Sequence, residues 1–184
     1  MKNKFDFEFE LSNSSISKLT NTIQEYRKEL VNSKKYILEA LAKYTQERVI
    51  KHLGASVGTG NYPATDNLIN NIKVTEIIDD MVRVVADTEY AKYVEYGTGL
   101  VGSDEPHPMA GQVGWRYSTG PRIYEDKNTG RTWEVDGWYY VGSDGNVYYT
   151  EGLEAHNFMY NAWVDLKQNY REIMKQVLRE RGLI

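Results

Sequence analysis

The chain lacks cysteine altogether, has little proline and contains no long apolar run. With 0 Cys and 4 Pro in 184 residues, it can form neither a disulfide nor a thiolate metal site, and it has no thiol nucleophile. No stretch approaches the roughly 20 consecutive apolar residues that cross a bilayer, so we expect no contact with a membrane. Residues 1–10 lack the continuous apolar run of a signal peptide, and we expect a protein made and folded in a cytoplasm.

The motifs of the common enzyme classes are also missing. No GxSxG, HExxH, Walker or dinucleotide-binding motif occurs, and the glycine-rich segment 54–63 lacks the lysine of a phosphate-binding loop. His52, His107 and His156 stand far apart. The run Asp104-Glu105-Pro106-His107-Pro108 comes nearest to a metal cluster, but its prolines favour a stiff, exposed loop, and no second histidine has a spacing that would complete a site. We therefore predict no metal and no cofactor.

Paired carboxylates could serve a glycosidase, and Glu95, Asp136 and Glu151 are candidates. The chain has 26 acidic residues, however, so such pairs arise by chance and indicate nothing specific. We predict that the protein is not an enzyme, with an unfamiliar hydrolase or nuclease as the alternative.

Charge and aromatic content point to protein surfaces rather than to nucleic acid. The net charge of -4 argues against a general nucleic-acid binder. The chain has 15 Tyr and 4 Trp, and aromatic side chains with a polar group are enriched where protein surfaces meet. Tyrosines at the edge of an ordinary core are the alternative.

The first third of the chain predicts a strand followed by helices. Phenylalanines alternate with acidic residues from Phe5 to Leu11, which is typical of a half-buried edge strand. After Ser14-Ser15, apolar residues recur at helical spacing at Ile16, Leu19, Ile23, Tyr26 and Leu30. A second periodic run, with Ile37, Leu41 and Tyr44, continues to Gly54. The two runs form either two helices broken at Asn32-Ser33 or one kinked helix.

The middle of the chain predicts a loop, a hairpin and a short helix. The glycines of Gly54–Pro63 indicate a loop, and the β-branched runs Ile72–Ile78 and Met81–Ala86 indicate a hairpin turning at Asp79-Asp80. Asp87-Thr88 is a suitable N-cap for a helix that has Tyr90, Ala91, Tyr93 and Val94 on one face and ends at Gly97.

Residues 99–151 are predicted to form a β-rich insertion. They include a hairpin in which Trp138–Val141 and Val147–Thr150 flank the turn 142–146. An isolated hairpin is marginal in water and cannot bury so many aromatic side chains on itself. We predict a contact surface made of Trp115, Trp133, Trp138, Tyr139, Tyr140, Tyr148 and Tyr149.

A last helix is predicted from near Ala155 almost to the end of the chain. Its apolar face consists of Phe158, Ala162, Leu166, Ile173 and Val177, and a basic ridge consists of Lys167, Arg171, Lys175 and Arg179. Such a ridge is ordinarily a solvated surface; an acidic partner or DNA is the alternative. The whole chain, 1–184, is predicted to be a single α+β domain. In it, N-terminal helices and a long C-terminal helix pack on a small, mostly antiparallel sheet, with 99–151 as the insertion.

Two segments resemble the tail-component family of tailed phages whose type member is the gene-ten product of phage HK97. Residues 87–98 read DTEYAKYVEYGT and resemble the family's YAxYVExGT signature, and 152–162 read GLEAHNFMYNA and resemble its later F(x)3A element. The matching positions are Tyr90, Ala91, Tyr93, Val94, Glu95, Gly97, Thr98, Phe158 and Ala162. The chain departs from the family where Asn157 replaces a frequent proline and where the insertion exceeds the short loop of compact members.

The resemblance implies a structural protein of the phage neck, a minor tail protein that acts in tail completion and head-to-tail joining without enzymatic activity. It implies a ring of copies, which we expect to be six-fold. It also implies contacts with a connector or head-closure protein, with a tail terminator or tail tube, and with DNA in the neck channel. The protein would be assembled into the virion in the cytoplasm of the host.

The strongest rival comes from the insertion. Residues 137–146, GWYYVGSDGN, look like one repeat of a choline- or cell-wall-binding module, which holds its ligand in an aromatic cage. Such solenoids need about three or more stacked repeats, and Gly114–Tyr117 is a poor second copy. A glycan- or choline-binding module is therefore the second hypothesis.

Overall fold

The computed structural model of the chain describes residues 13–57, 65–118, 120–142 and 144–184. The strand predicted over Phe5–Leu11 lies outside these residues. Helices and antiparallel strand pairs occur together, so the predicted α+β class is confirmed. The strands do not form one small sheet, because in the described residues they pair as three separate two-stranded sheets.

The helices and strands have the following bounds. The helices are α1 Asn13–Val57, α2 Thr65–Asn70, α3 Ala91–Tyr96, α4 Gly99–Asp104, α5 Ala110–Val113 and α6 Phe158–Glu180. The strands are β1 Ile72–Val74, β2 Val84–Ala86, β3 Arg122–Glu125, β4 Thr132–Val135, β5 Trp138–Val141, β6 Val147–Thr150 and β7 Gly152–Leu153. The insertion thus begins with two short helices, α4 and α5, which the sequence pattern did not predict.

The described residues divide into two compact units. The first unit takes its residues from Met1–Lys51, Asn71–Ala86 and Asn161–Ile184, and the second from His52–Asn70 and Asp87–Tyr160. The prediction of a single domain stays a prediction. None of the described helices combines the length and the apolar character that a membrane span needs.

Helix α1 is continuous over 45 residues, about 67 Å at 1.5 Å per residue. The predicted alternative of a break at Asn32-Ser33 is wrong. The Ser33 hydroxyl donates to the Glu29 carbonyl at 2.8 Å and accepts from Arg181 Nε at 2.8 Å, so this fully buried polar group is satisfied inside the helix. The helix also runs through Gly54 to Val57, so the loop predicted from Gly54 is wrong over these residues, and the rest of that predicted loop lies outside the described residues.

The first unit is held by α1, α6 and the β1–β2 pair. Its buried side chains are Ser33, Ala42, Val49, Ile72, Ala162, Val177 and Leu183. Arg48 Nε donates to Asp165 Oδ2 at 2.5 Å, which joins α1 to α6, and Gln46 Nε2 donates to the Ile72 carbonyl at 2.8 Å, which joins α1 to β1. The first half of α1 keeps much of its apolar face in solvent, since Ile16 and Ile23 are each 51% exposed.

The predicted hairpin over Ile72–Ala86 is confirmed. Ile72 pairs with Ala86 and Val74 with Val84, and two backbone hydrogen bonds join Ile78 and Met81 around the two-residue turn. Asp79 and Asp80 have φ of 51° and 60°, the left-handed backbone of the turns that suit a two-residue hairpin. Asp80 also forms an exposed ion pair with Lys34.

We predict that Asp80→Gly is more stable than Asp80→Ala by about 1 kcal/mol, because only glycine relieves the left-handed backbone. Both variants lose the Lys34 ion pair, so their difference isolates the backbone contribution. Urea unfolding of the two proteins measures it. Equal midpoints would show that the turn does not hold Asp80 at positive φ.

Candidate functional site

The signature segment forms α3, but this helix does not start as predicted. The predicted N-cap at Asp87-Thr88 is wrong: the N-cap residue is Tyr90, and no side chain caps the helix. Thr88 contributes its carbonyl, which accepts from the Ala91 N–H at 3.2 Å, while its buried hydroxyl has no hydrogen-bond partner. The end of the helix at Gly97 is confirmed, with φ of 74° and the Gly97 N–H donating to the Tyr93 carbonyl at 2.9 Å.

Glu95 is the polar centre of the second unit. Its side chain is buried, with 6% of the residue exposed, although it lies on a six-residue surface helix. Oε2 accepts from the Met159 N–H at 2.9 Å, and Oε1 accepts from the Tyr160 N–H at 2.9 Å. These donors belong to the first turn of α6, whose N–H groups have no partner within the helix and favour negative charge. Glu95 therefore caps α6 from 64 residues earlier in the chain.

His107 completes this arrangement, which we call the carboxylate clasp: Glu95, His107 and the N–H groups of Met159 and Tyr160. Nε2 of His107 lies 2.9 Å from Glu95 Oε1, and the Met109 N–H donates to Nδ1 at 3.0 Å. Nδ1 is thus the acceptor, and Nε2 carries the hydrogen that is donated to Glu95.

The prediction of an exposed loop at His107 is wrong, since this residue is 3% exposed. Pro106 and Pro108 are both exposed, as predicted, but the turn between them directs the imidazole inward. The prolines carried no information on which way the side chain between them points.

Aromatic rings enclose the clasp. The centroid of the Tyr96 ring lies 4.3 Å from that of the His107 ring, and Trp115 stacks on Tyr96 at 5.1 Å. The Tyr117 hydroxyl donates to the Tyr96 carbonyl at 3.0 Å and accepts from the His107 N–H at 3.0 Å. Burial, with the charge of Glu95, raises the pKa of Tyr96. Trp115, predicted as part of the contact surface, instead packs within this unit and donates to the Gly97 carbonyl at 3.2 Å.

The clasp brings the two motif segments together. The His156 N–H donates to the Val94 carbonyl at 3.0 Å, and the Asn157 N–H donates to the Glu95 carbonyl at 3.2 Å. Asn157 has φ of 53°, and Phe158 after it is fully buried. A proline at 157 could adopt neither this φ nor this hydrogen bond, which explains why Asn157 stands there. Burial lowers the pKa of the adjacent His156.

The remaining motif residues divide into buried and exposed positions. Ala91, Val94, Gly97, Phe158 and Ala162 are buried, Tyr90 and Thr98 are half-buried, and Tyr93 is 45% exposed. Sequence reasoning included Glu95, placed His107 in an exposed loop, and missed Tyr117 and the role of Trp115. No spacing or periodicity relates these residues to Glu95, so only the fold identifies them.

The hydrogen-bonding groups of the clasp have partners within the unit. The Glu95 carboxylate accepts from two N–H groups and from His107, and both side chains are almost fully buried. The other predicted glycosidase candidates, Asp136 and Glu151, are exposed. Among the residues that the structure describes, no three metal-binding side chains come together.

The insertion presents two hairpins with exposed aromatic side chains. The hairpin of β5 and β6 is confirmed with Tyr139 opposite Tyr149, and β3 pairs with β4 with Tyr124 opposite Trp133. Four rings form a continuous row, with centroid separations of 6.0 Å for Trp133–Tyr124, 5.2 Å for Tyr124–Tyr139 and 5.3 Å for Tyr139–Tyr149. We call these four residues the aromatic ladder.

The other face of the second hairpin is also aromatic. Tyr140 and Tyr148 stack at 5.7 Å and are 49% and 43% exposed. Trp138, on the same face, is half-buried, and the Arg122 guanidinium lies 5.2 Å from its ring. Except for Trp115, the aromatic side chains predicted as a contact surface thus lie on two short hairpins whose rings remain accessible.

The basic ridge lies in solvent along α6. Lys167, Arg171, Lys175 and Arg179 are all exposed. Lys167 Nζ lies 4.3 Å from the centroid of the Trp163 ring, and Arg171 lies over the Tyr170 ring at 5.7 Å. Lys175 pairs with Glu172 at 2.7 Å. The ridge is therefore a mixed surface of cations and rings.

One known protein family matches part of the chain, including most of the signature. Residues 17–97 match the family described as "Bacteriophage HK97-gp10, putative tail-component", which confirms the resemblance carried by the signature. A tail component of this kind implies a structural, non-enzymatic role, a place in the virion and contacts with other phage structural proteins. No curated protein and no solved structure matches the chain. The match includes α1 and α3 but stops before His107, the hairpins and α6.

We predict that Glu95→Ala lowers the free energy of unfolding by about 3 kcal/mol or more, because it leaves three buried donors without an acceptor. Glu89→Ala, on an exposed neighbouring position, is the control and should stay within about 0.5 kcal/mol of the parent. Denaturant unfolding of both variants gives the comparison. A small loss for Glu95→Ala would show that the clasp does not form.

We also predict that Gly97→Ala costs at least about 2 kcal/mol, because its backbone, at φ 74° and ψ 172°, belongs to a region that only glycine populates. A Cβ there would lie 2.7 Å from the Leu153 carbonyl oxygen and 2.8 Å from the Ala155 nitrogen. Gly111→Ala is the matched control, since a Cβ at Gly111 meets nothing within 4 Å. If thermal melts show equal shifts in melting temperature for the two variants, the backbone does not approach Gly97 as closely as described.

Proposed function

We propose that this protein completes the tail and joins it to the head in the neck of a tailed phage. It acts there as a ring of copies, six-fold in our expectation, between a connector or head-closure protein and a tail terminator or tail tube. DNA in the neck channel is a further contact. The protein needs no cofactor and performs no reaction; its work is to hold neighbouring parts of the particle together.

The observation that carries this proposal is that Glu95, a residue of the family signature, is the centre of the clasp. The matched region ends in α3, and Glu95 of α3 fixes the start of α6 through two backbone hydrogen bonds. The hydrogen bonds made by this segment therefore serve structure, as a joining protein requires. The exposed hairpins and the basic ridge are then the surfaces available for neighbours.

The glycan- or choline-binding hypothesis receives less support from the hairpins. A quaternary ammonium group needs an open space between aromatic faces. The rings of the aromatic ladder instead contact one another, with Tyr124 and Tyr139 edge to face at 5.2 Å. Binding of the purified protein to choline or to a glycan array would favour that hypothesis over a joining role.

A stop codon in this gene tests the proposal. We expect electron micrographs of the mutant phage to show filled heads and unattached tail tubes that lack only their completed head-proximal end, because the remaining proteins assemble both parts. Purified protein added to a mixture of these heads and tails should restore infectious particles. Joined particles without the protein would contradict the proposal, and the absence of tails would place the protein in tail assembly instead.

The second test of function is deletion within the insertion. Replacing residues 120–150 by a glycine-serine linker should leave a protein that melts cooperatively but does not enter particles. Replacing residues 101–150 should unfold the protein, because it also removes His107, Trp115 and Tyr117 from around Glu95. Normal titres from the shorter deletion would show that the hairpins have no part in assembly.

A further inference from the structure

The hairpin segment and the C-terminal helix carry opposite charge. Residues 120–151 contain three basic and six acidic residues, a net charge of −3: Arg122, Lys127 and Arg131 against Glu125, Asp126, Glu134, Asp136, Asp144 and Glu151. Residues 158–184 contain five basic and three acidic residues, a net charge of +2: Lys167, Arg171, Lys175, Arg179 and Arg181 against Asp165, Glu172 and Glu180.

The aromatic ladder is suited to bind cations. Tyr139, Tyr149 and Trp133 are 42%, 43% and 43% exposed, so their rings are accessible, and aromatic ring faces attract ammonium and guanidinium groups. Carboxylates stand at the Tyr149 end of the ladder. Glu151 Oε1 accepts from the Tyr149 hydroxyl at 3.4 Å, and the charges of Glu151 and Asp136 add to burial in raising the pKa of Tyr149.

The hairpin face that carries the ladder also has an apolar surface, which a two-stranded hairpin cannot bury by itself. Val141 and Val147 pair across β5 and β6 on the same face as Tyr139 and Tyr149, and they are 69% and 66% exposed. A partner must therefore supply both cations and apolar area. The basic ridge has this composition, because its cations lie beside Trp163 and Tyr170, which are 46% and 37% exposed.

We propose that the aromatic ladder of one copy binds the basic ridge on α6 of the next copy. Lys167, Arg171 and Lys175 would stack on ladder rings, while Asp136 and Glu151 pair with ridge cations. This inference rests on the proposed function, since it names the contact that builds the ring. Each copy offers one ladder and one ridge, so the contact is head-to-tail and repeats until a ring closes.

Charge favours a second copy over nucleic acid as the occupant of the ridge. Glu172 and Glu180 lie on the same helix among the ridge cations and would repel a phosphate backbone. Carboxylates on the ladder repel DNA as well, whereas both sets of charges find partners when ladder and ridge meet. Binding of DNA by the ridge is the alternative, and the experiment below is designed to detect it.

The absence of cysteine permits a direct test by disulfide trapping. Val147→Cys on the ladder face and Lys167→Cys on the ridge are combined in one chain. This variant is oxidised both as concentrated purified protein and in assembled particles. We expect a series of covalent oligomers on non-reducing gels, rising stepwise to the ring number, because every copy can link to two neighbours.

Two control pairs fix the surfaces involved. In the first control pair, Ile123→Cys is used in place of Val147→Cys. Ile123 is 73% exposed and lies on the face of the β3–β4 hairpin opposite to Tyr124 and Trp133. Asn169→Cys replaces Lys167→Cys about 200° round α6. Neither control pair should give the stepwise series of covalent oligomers. If a control pair crosslinks as well as the test pair, or if the test pair fails in both solution and particles, the proposal is overturned.

Charge reversal gives a second measurement on the same variant. Arg171→Glu/Lys175→Glu should weaken crosslinking at least about tenfold, and so should Asp136→Lys/Glu151→Lys. Combining the two reversals in one chain should restore it. If the combined reversal does not restore crosslinking, the proposal is contradicted. It is also contradicted if the ridge binds a duplex DNA fragment in fluorescence anisotropy while the Val147→Cys/Lys167→Cys pair fails to crosslink.

The outcomes separate this inference from the proposed function. If loss of the gene leaves heads and tails unjoined but no ladder-to-ridge disulfide forms in particles, the joining function stands and the interface is rejected. If the disulfide series forms but loss of the gene leaves joining intact, the interface stands and the joining function is rejected.

Discussion

The rest of the second unit depends on one buried carboxylate. Glu95 holds the first N–H groups of α6 and the imidazole of His107, and its backbone carbonyl accepts from Asn157. A buried carboxylate is costly unless hydrogen bonds compensate its desolvation, and here three side-chain hydrogen bonds do so. These partners come from two distant parts of the chain, the segment around His107 and the start of α6. The carboxylate therefore selects one arrangement of the signature, the proline-flanked turn and the last helix.

Close backbone approach supports the clasp. Thr98 pairs with Leu153 and Gly99 with Gly152 as isolated bridges, and a Cβ on Gly152 would overlap the Thr98 carbonyl. Glycine at this position lets the chain leaving α3 lie against the chain entering α6. The insertion between them thus starts and ends at one point, which is why a long segment can be accommodated there without separating the two motif segments.

Periodicity predicted most elements of this fold, and tertiary contacts decided the rest. The hairpins at Asp79-Asp80 and at 142–146, and helix α6, follow from local alternation and spacing. Local chemistry also made Asn32-Ser33 resemble a break, but Arg181 satisfies Ser33 from a distant position. His107 was misplaced for the same reason, since its partner Glu95 and the rings around it belong to other elements. Local patterns cannot report partners that are distant along the chain.

Helix α1 shows the same difference between local pattern and tertiary contact, because its apolar residues recur regularly but only some of them are buried. Ile16, Ile23 and Leu30 recur every seven residues and are 51%, 51% and 42% exposed, whereas Val49 and Leu53 further along the helix are buried. A 45-residue helix extends further than the contacts of a small unit reach. An apolar surface beyond the core is typical of contacts between molecules, and the function proposed above requires such contacts. Under that proposal, the buried part of α1 serves the stability of the single chain, and its exposed part is available for assembly.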